Sequence, residues 1–254
     1  MRTFLRRCRG LRAVARLAAC VAACLAGFPA HAGTFSVSPV RVDLSAAEPI
    51  AALIVRNGGS EAAVVQLEAM AWSQQDGADR YEASRDLIAT PPIFTVPAGG
   101  SQIVRVGTRR GVDPRRELTY RLYLQEVPAP TEPGFTGMRV ALRLGVPVFV
   151  APAVKAAPLL KWQVLRSTDG ALALACTNDG AMHARIVSLS LASTSSTTRI
   201  ASSKRIVASD LHAGQQRRWT MPGPLDERAL PVGTPLRLAV VTEHGTVDVD
   251  LVVP

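Results

Sequence analysis

Residues that favour turns recur along most of this chain. Gly, Pro, Asn and Asp interrupt it roughly every 8 to 12 residues, and the segments between them are short, rich in β-branched side chains and often alternate apolar with polar residues. Such segments are typical of strands, whose successive side chains point to opposite faces. No amphipathic segment of helical length stands out. The pattern therefore predicts an all-β protein.

The first 32 residues have a different composition. An arginine-rich start over 1–16 is followed by an apolar stretch over 17–30 and then by the small-residue motif AHA at 30–32. This order predicts a secretory signal peptide cleaved after Ala32, and therefore a periplasmic protein. The stretch is shorter than the roughly 20 residues that span a bilayer and is broken by Gly27 and Pro29, so no stable membrane insertion is expected. Lipidation at Cys20 or Cys24 is the less favoured interpretation.

Removing residues 1–32 changes the charge and the cysteine content. It takes away six arginines and no acidic residue, so the net charge falls from +9 to +3. Three of the four cysteines also leave, and Cys176 remains alone without a disulfide partner. A nucleic-acid partner is not expected, because basic residues form no dense face and only 5% of the chain is aromatic.

The strand pattern divides into two modules. In the first, 33–152, seven segments predict an immunoglobulin-like β-sandwich, and 78–88 is expected to be a loop with a short strand. A proline-framed segment of small residues at 153–158 predicts a linker. The second module, 159–254, is expected to be another β-sandwich. The predicted strands are 35–44, 50–57, 63–74, 93–96, 101–106, 118–127 and 138–150, then 162–166, 171–177, 184–192, 200–208, 217–221, 236–242 and 246–253.

Catalytic and metal-binding patterns are absent from the sequence. Three histidines remain in the mature chain, none in an HExxH motif, and no GxSxG, P-loop or GxGxxG sequence occurs. Cys176 and His183 are a conceivable nucleophile and base, but a cysteine in an apolar strand is usually a buried core residue. Asn178-Asp179-Gly180 is read as a turn rather than as a cation site. The chain is expected to be no enzyme, and to need no metal or cofactor.

The segment 138–150, MRVALRLGVPVFV, is unusual for a sandwich strand. Its alternate residues form one apolar row, and its 13 residues exceed the usual strand length of about 5 or 6. A long core strand is one interpretation. Pro147 favours the other, because proline cannot donate to a ladder and belongs at an edge or a bulge. A long apolar edge strand is a site for pairing with another chain.

Four passages carry a family resemblance: FSVSPVRVDL at 35–44, ATPPIFTVPAGGSQIVRV at 89–106, ELTYRLYLQEVP at 117–128 and VALRLGVPVFVAP at 140–152. Together they resemble the periplasmic chaperones of chaperone–usher pilus assembly. The resemblance implies two immunoglobulin-like domains in an L-shaped arrangement, with a pilus subunit held along the cleft and later passed to an outer-membrane usher. It also implies that a strand of the chaperone completes the subunit's unfinished sandwich. The alternative is a secreted structural or adhesive sandwich protein, such as a pilus subunit or adhesin.

The resemblance also implies functional residues. The donor strand falls on Met138, Val140 and Leu142, extended by Leu144. The sequence leaves open whether the free protein self-associates through this edge. Conventional members anchor the subunit's C-terminal carboxylate with an arginine and a lysine. The arginine position falls on Arg41, whereas the lysine position falls on Pro147, which resembles the archaic branch of the family. The other candidate anchors are Arg121 and Arg105, because an arginine fork suits a carboxylate.

Overall fold

A computed structural model of the chain describes residues 35–128, 140–166, 172–194, 201–220 and 230–254, with the backbone alone over 201–208. The expected signal peptide and Met138 lie outside the described residues. All regular secondary-structure elements of the described residues are β-strands, which confirms the all-β prediction. The described residues contain no helix that is long and apolar enough to cross a membrane.

The described part of the N-terminal domain is a sandwich with ten strands. They are β1 (Phe35–Ser38), β2 (Val42–Leu44), β3 (Ile50–Asn57), β4 (Ala63–Gln75), β5 (Ala78–Ala83), β6 (Leu87–Thr90), β7 (Ile93–Val96), β8 (Ser101–Thr108), β9 (Leu118–Val127) and β10 (Arg143–Val150). One sheet has the order β1-β3-β8-β6; the other has the order β2-β10-β9-β4-β5, and β7 joins it by pairing with β4. All pairs are antiparallel except β10 with β2.

Alternation along the strands builds the core of this domain. Leu53 and Val104 of the four-stranded sheet are fully buried and belong to the same cluster as Leu122 and Val148 of the other sheet. Their sequence neighbours point away from the core, because side chains alternate across a pleated sheet. Every outward-facing position can therefore be assigned to one of two opposite faces of the sandwich.

Two predicted strands and one predicted loop differ from the structure. Residues 35–44 form two strands, because Pro39 cannot continue the ladder and the chain crosses from one sheet to the other. The segment 78–88, expected to be a loop with one short strand, contains β5 and the start of β6; β5 pairs with β4 through the Asp76-Gly77 turn, whose residues both have positive φ. The strand expected over 138–150 begins at Arg143.

The C-terminal domain is a smaller sandwich. Its strands are β11 (Leu160–Arg166), β12 (Leu172–Asn178), β13 (Ala184–Ser193), β14 (Ala201–Leu211), β15 (Gln216–Thr220), β16 (Pro235–Thr242) and β17 (Gly245–Val252). They form sheets of order β11-β12-β15 and β14-β13-β16-β17. Leu174, Ile186 and Leu238 are fully buried between these sheets, which confirms the second predicted sandwich.

The chain between the domains is hydrogen-bonded to both. Ala153 donates its backbone N–H to the Asp113 carbonyl at 2.9 Å, and Ala181 donates to the Ala157 carbonyl at 3.3 Å. A Cβ at Gly180 would lie 2.4 Å from the same Ala157 oxygen, so this turn needs glycine. The Asn178 carboxamide is fully used by backbone groups around the turn, which confirms the turn interpretation. The linker bounds 153–158 and the L-shape stay predictions.

Candidate subunit-binding site at the domain junction

The outward face of the β2-β10-β9-β4-β5 sheet meets the C-terminal domain. Because Tyr120 and Leu122 point into the core, Arg121 points out, opposite Pro147 on β10 and Met70 on β4. We call this surface the junction face and define it by Trp72, Tyr81, Arg121 and Phe149, together with Arg41. Two histidines of the C-terminal domain border it: His183 stacks on Phe149 with ring centroids 3.6 Å apart, and His212 meets Trp72 edge-on at 4.3 Å.

Arg121 lies among aromatic rings on the junction face. Its guanidinium carbon is 4.4 Å from the Trp72 ring centroid and 6.0 Å from that of Tyr81. Space for it exists because β10 carries Gly145, where a Cβ would lie 3.3 Å from Arg121 Cδ and 3.0 Å from Tyr123 Cε1. Burial raises the pKa of Tyr81 and outweighs the hydrogen bond with Arg121, which acts to lower that pKa. The phenol therefore stays neutral. Among the described residues, no carboxylate lies within ion-pair distance of Arg121.

Arg41 is occupied, in contrast to Arg121. It follows β1 and its guanidinium carbon lies 5.5 Å from the Phe149 ring centroid. Its Nε donates to Asp43 Oδ2 at 2.9 Å, and its Nη1 donates to Glu243 Oε2 on the C-terminal domain. Burial alone would lower the pKa of Arg41, but its hydrogen bonds to these two carboxylates raise it above the ordinary value. Arg41 therefore joins the two domains through an ion pair.

Arg105 lies apart from the other two arginines. It is an exposed residue of β8, between the buried Val104 and Val106, and therefore points outward from the four-stranded sheet. Arg121 points outward from the opposite sheet, so the two guanidinium groups lie on opposite sides of the sandwich. Alternation therefore places Arg105 on the face of the sandwich opposite to the junction face, apart from Arg41 and Arg121.

The expected donor residues divide into two groups. Val140 is 73% exposed, whereas Leu142 and Leu144 are half-buried and line a small cavity at the edge of the sandwich with Phe35 and Val37. Leu144 also packs against the domain's own core. Leu142 stays tied to β9, since its carbonyl accepts from the Glu126 N–H at 2.9 Å. The apolar row thus begins in the core and ends at an exposed side chain.

One edge of β10 is available for pairing. Antiparallel pairing with β9 covers the whole strand, but parallel pairing with β2 covers only 148–150. Among the described strands, none pairs with the other edge over 143–147, which includes Pro147. An unpaired edge beside apolar side chains can accept a strand from another chain.

Buried polar contacts hold the two domains together beside the junction face. Glu117 Oε2 accepts hydrogen bonds from the backbone N–H and the Nδ1 of His183, both at 2.8 Å. Gln74 donates to the Asp210 carbonyl at 2.7 Å and accepts from the His212 N–H at 2.9 Å. Because a buried polar group without a partner costs free energy, these contacts depend on both domains being in place.

Glu117→Ala should therefore destabilise the protein. The substitution leaves the buried His183 N–H and Nδ1 without an acceptor, and we expect the free energy of unfolding to fall by about 2–3 kcal/mol. Urea denaturation measures this change. Glu68→Ala is the matched control, because Glu68 forms an ion pair with Arg143 on the exposed surface, which is worth at most about 1 kcal/mol. Equal effects of the two substitutions would contradict the buried role of Glu117.

His212 should make the protein less stable in acid. Burial, followed by the nearby His183, lowers the pKa of His212 to about 4. The unfolded chain binds this proton near pH 6.5, so stability is complete above that pH and falls as pH drops from 6.5 toward 4. We expect His212→Phe, which keeps the ring on Trp72, to reduce the stability lost between pH 7 and pH 5 by about 2 kcal/mol. Urea denaturation at the two pH values measures it, and the exposed His244→Phe should leave the loss unchanged.

Cys176 lies away from the junction. It is fully buried in the core of the C-terminal domain, and burial raises its pKa to about 12. His183, weighed above as its possible base, instead binds Glu117 across the domain boundary. Cys176 is therefore a core residue, as the sequence favoured.

Several residues of the junction face were not found from the sequence. Trp72 and Tyr81 become neighbours through the β4–β5 hairpin, and its Asp76-Gly77 turn was the signal that could have revealed them. Glu243 lies in the short turn between β16 and β17, and nothing in the local sequence connects it with Arg41, 202 positions away. Only the packing of the two domains brings Glu243 to Arg41.

Comparisons with known proteins agree with this architecture. Residues 34–155 match the family model described as pili and flagellar-assembly chaperone, PapD N-terminal domain. A search of the curated proteins found no match to this chain.

Solved structures of similar fold include a chaperone–tip adhesion subunit pre-assembly complex, CsuC–CsuE, from archaic chaperone–usher Csu pili of Acinetobacter baumannii. That match has 19% identity and a TM-score of 0.61, and covers 86% of this chain and 98% of that chain. Salmonella enterica SafA pilin in complex with the SafB chaperone matches at 17% identity and a TM-score of 0.60, with coverage of 87% and 97%. The Pseudomonas aeruginosa CupB2 chaperone matches at 17% identity with a TM-score of 0.53, and the match covers 85% of this chain and 98% of that chain. With the family match over the N-terminal sandwich, these findings agree with the resemblance: residues 34–155 match the pili and flagellar-assembly chaperone family, and the whole chain shares the fold of solved pilus chaperones.

Proposed function

We propose that this chain is a periplasmic chaperone that binds pilus subunits by supplying a strand and delivers them to an outer-membrane usher. The match of residues 34–155 to the chaperone family supports this class of function over a structural pilus subunit or adhesin. The observation that carries the mechanism is the unpaired edge of β10 over 143–147, continued by the apolar row that ends at the exposed Val140. The action is one of binding, with no catalytic step, metal or cofactor.

A strand donated along this edge would satisfy two needs of an incomplete subunit. Its backbone would pair with unpaired N–H and C=O groups, and alternate side chains would fill apolar pockets. Val140 and Leu142 are the described residues placed for this task, with Met138 next in the row. Leu144 serves the chaperone's own core in the free protein, so it marks the inner end of the donated segment.

Arg121 is the best-supported anchor for the subunit's C-terminal carboxylate. It lies opposite Pro147, so it supplies a cation in the row from which the usual lysine is missing. Its surroundings of Trp72 and Tyr81 lower the local dielectric constant, which strengthens a charge-assisted hydrogen bond. Arg41 lies on the same face beside Phe149 but already holds two carboxylates. Arg105 has no part in this site.

The proposal also includes export of the chain to the periplasm and its assignment to the archaic branch of the chaperones. Residues 1–32 act as a signal peptide, and cleavage leaves a mature chain with only a small positive charge. Pro147 at the usual lysine position supports the archaic branch, in agreement with the similarity of fold to the archaic Csu chaperone.

Co-expression with a pilus subunit from the same genome tests the proposed function. We expect the two chains to purify from the periplasm as a stable complex, and the subunit to aggregate or be degraded when this chain is absent. Recovery of this chain in extracellular fibres, rather than in a periplasmic complex, would instead identify it as a structural subunit.

A further inference from the structure

We propose that Glu243 is an internal competitor for Arg41: it occupies this guanidinium in the free chaperone, and a subunit's C-terminal carboxylate gains Arg41 only by displacing it. The inference rests on the proposed function and assigns a residue of the C-terminal domain to control of subunit capture. Glu243 supplies a carboxylate, the same chemical group that a subunit would present at its C-terminus.

The hydrogen bonds of Arg41 explain why the two carboxylates would compete. A carboxylate binds arginine best through two parallel N–H donors. Asp43 takes the Nε of Arg41 and Glu243 takes Nη1, so in the described part of the chain only Nη2 has no partner. Asp43 blocks the donor pair Nε and Nη2, and Glu243 already takes one of the two Nη1 hydrogens of the pair Nη1 and Nη2. An incoming carboxylate therefore competes with one of these acidic side chains for a bidentate contact.

Glu243, unlike Asp43, is held against Arg41 by contact between the two domains. The backbone of Asp43 belongs to β2 of the same domain as Arg41 and pairs with Phe149, and its side chain is 59% exposed. Glu243 belongs to the turn between β16 and β17 of the other domain, and its side chain is 20% exposed. A small movement of this turn would separate it from Arg41 without breaking either sandwich.

The Glu243 carboxylate lies beside His183 while its other oxygen binds Arg41. The Nε2 of His183 is buried, has no hydrogen-bond partner among the described residues and lies 3.6 Å from Glu243 Oε1. Its Nδ1 must carry a hydrogen, because the acceptor there is the Glu117 carboxylate. Arg185 is not an alternative partner, since it already binds Asp210 through two nitrogens.

The test is Glu243→Gln, which removes the charge and keeps the shape. The probe is a synthetic peptide copying the C-terminal 15 or so residues of a co-expressed pilus subunit, made as the free acid and as the C-terminal amide. We expect the substitution to tighten binding of the free acid about tenfold and to leave binding of the amide unchanged. Asp250→Asn is the matched control, because it removes the same charge from an exposed ion pair on the same hairpin and should change neither affinity.

The variant Arg41→Gln tests whether the tighter binding expected of Glu243→Gln depends on Arg41. In this background Glu243→Gln should give no gain, because the guanidinium for which the carboxylates compete is gone. Unchanged or weaker binding of the free acid by Glu243→Gln would overturn the inference. An equal gain for the amide, or an equal gain in the Arg41→Gln background, would overturn it too.

A measurement on the unaltered protein covers the case in which Glu243→Gln disturbs folding. The NMR signal of the Glu243 carboxylate carbon should shift when the free acid is added and stay in place with the amide. A signal that does not move would contradict displacement. Failure of the wild-type chain to capture a whole subunit would refute the proposed function, whereas capture without displacement of Glu243 would refute only this competition.

Discussion

Val140→Asp should abolish subunit capture while leaving the chaperone folded. In the free protein the Val140 side chain is 73% exposed, so a carboxylate there costs the chaperone little. In the complex the same position would enter an apolar pocket of the subunit, where burying an unpaired charge costs several kcal/mol. We therefore expect affinity to fall by about 100-fold or more. Co-purification with the subunit and isothermal titration measure the loss.

The control for this prediction is another exposed valine. Val247→Asp, in the C-terminal domain, places the same charge on a side chain that is 56% exposed and should leave capture intact. Far-UV circular dichroism and the thermal midpoint should be the same for both variants. Capture by Val140→Asp at the wild-type level would show that the donated segment does not include this residue.

Arg121→Gln should weaken capture about 10- to 100-fold. The substitution keeps a polar side chain over Trp72 but removes the charge that would meet the subunit's terminal carboxylate, and hydrogen bonds to charged groups are worth about 1.5–3 kcal/mol. The loss should vanish when the subunit's C-terminal carboxylate is converted to an amide. Titration of free-acid and amide peptides into wild-type and Arg121→Gln protein measures both effects.

Arg105→Gln is the matched control for Arg121. It removes an arginine that, like Arg121, stands between two apolar residues, but Arg105 lies on the opposite face of the sandwich. Arg105→Gln should therefore leave capture unchanged. If Arg105→Gln and Arg121→Gln weakened capture equally, the effect would come from net charge rather than from an anchor. A loss in Arg121→Gln that persists with the amide peptide would assign this residue to the packing of Trp72 and Tyr81.

The sequence predicted most of the fold because alternation and burial have the same physical cause. Strands such as β3, β7 and β9 were found with their bounds, since apolar residues at every second position must face a core. The errors occurred where a ladder ends for reasons of backbone chemistry. Pro39 divides the first predicted strand, and the hairpin turn at Asp76-Gly77 adds a strand where a loop was expected.

Alternation of side chains along a strand distinguishes the candidate anchors Arg105 and Arg121 only when the sheet of each strand is known. Arg105 and Arg121 look alike in sequence, each between two apolar residues, and nothing local distinguishes their faces. Sheet order decides the matter, because β8 and β9 belong to opposite layers of the sandwich. The same reasoning shows why Leu144 was grouped with the donated residues: one apolar row serves the chaperone's own core at one end and is open at the other.

The amino-acid sequence by itself determined the class of fold, the expected export signal, the resemblance to a chaperone family and the apolar row that starts at Met138, because each depends on local composition or spacing. Tertiary structure decided which cations share a surface and which of them are occupied. Arg41 and Glu243 are 202 positions apart, and Arg121 reaches Trp72 only through strand pairing. Ion pairs and aromatic contacts form between groups a few ångströms apart, and such distances are set by the packing of sheets and domains rather than by neighbours along the chain.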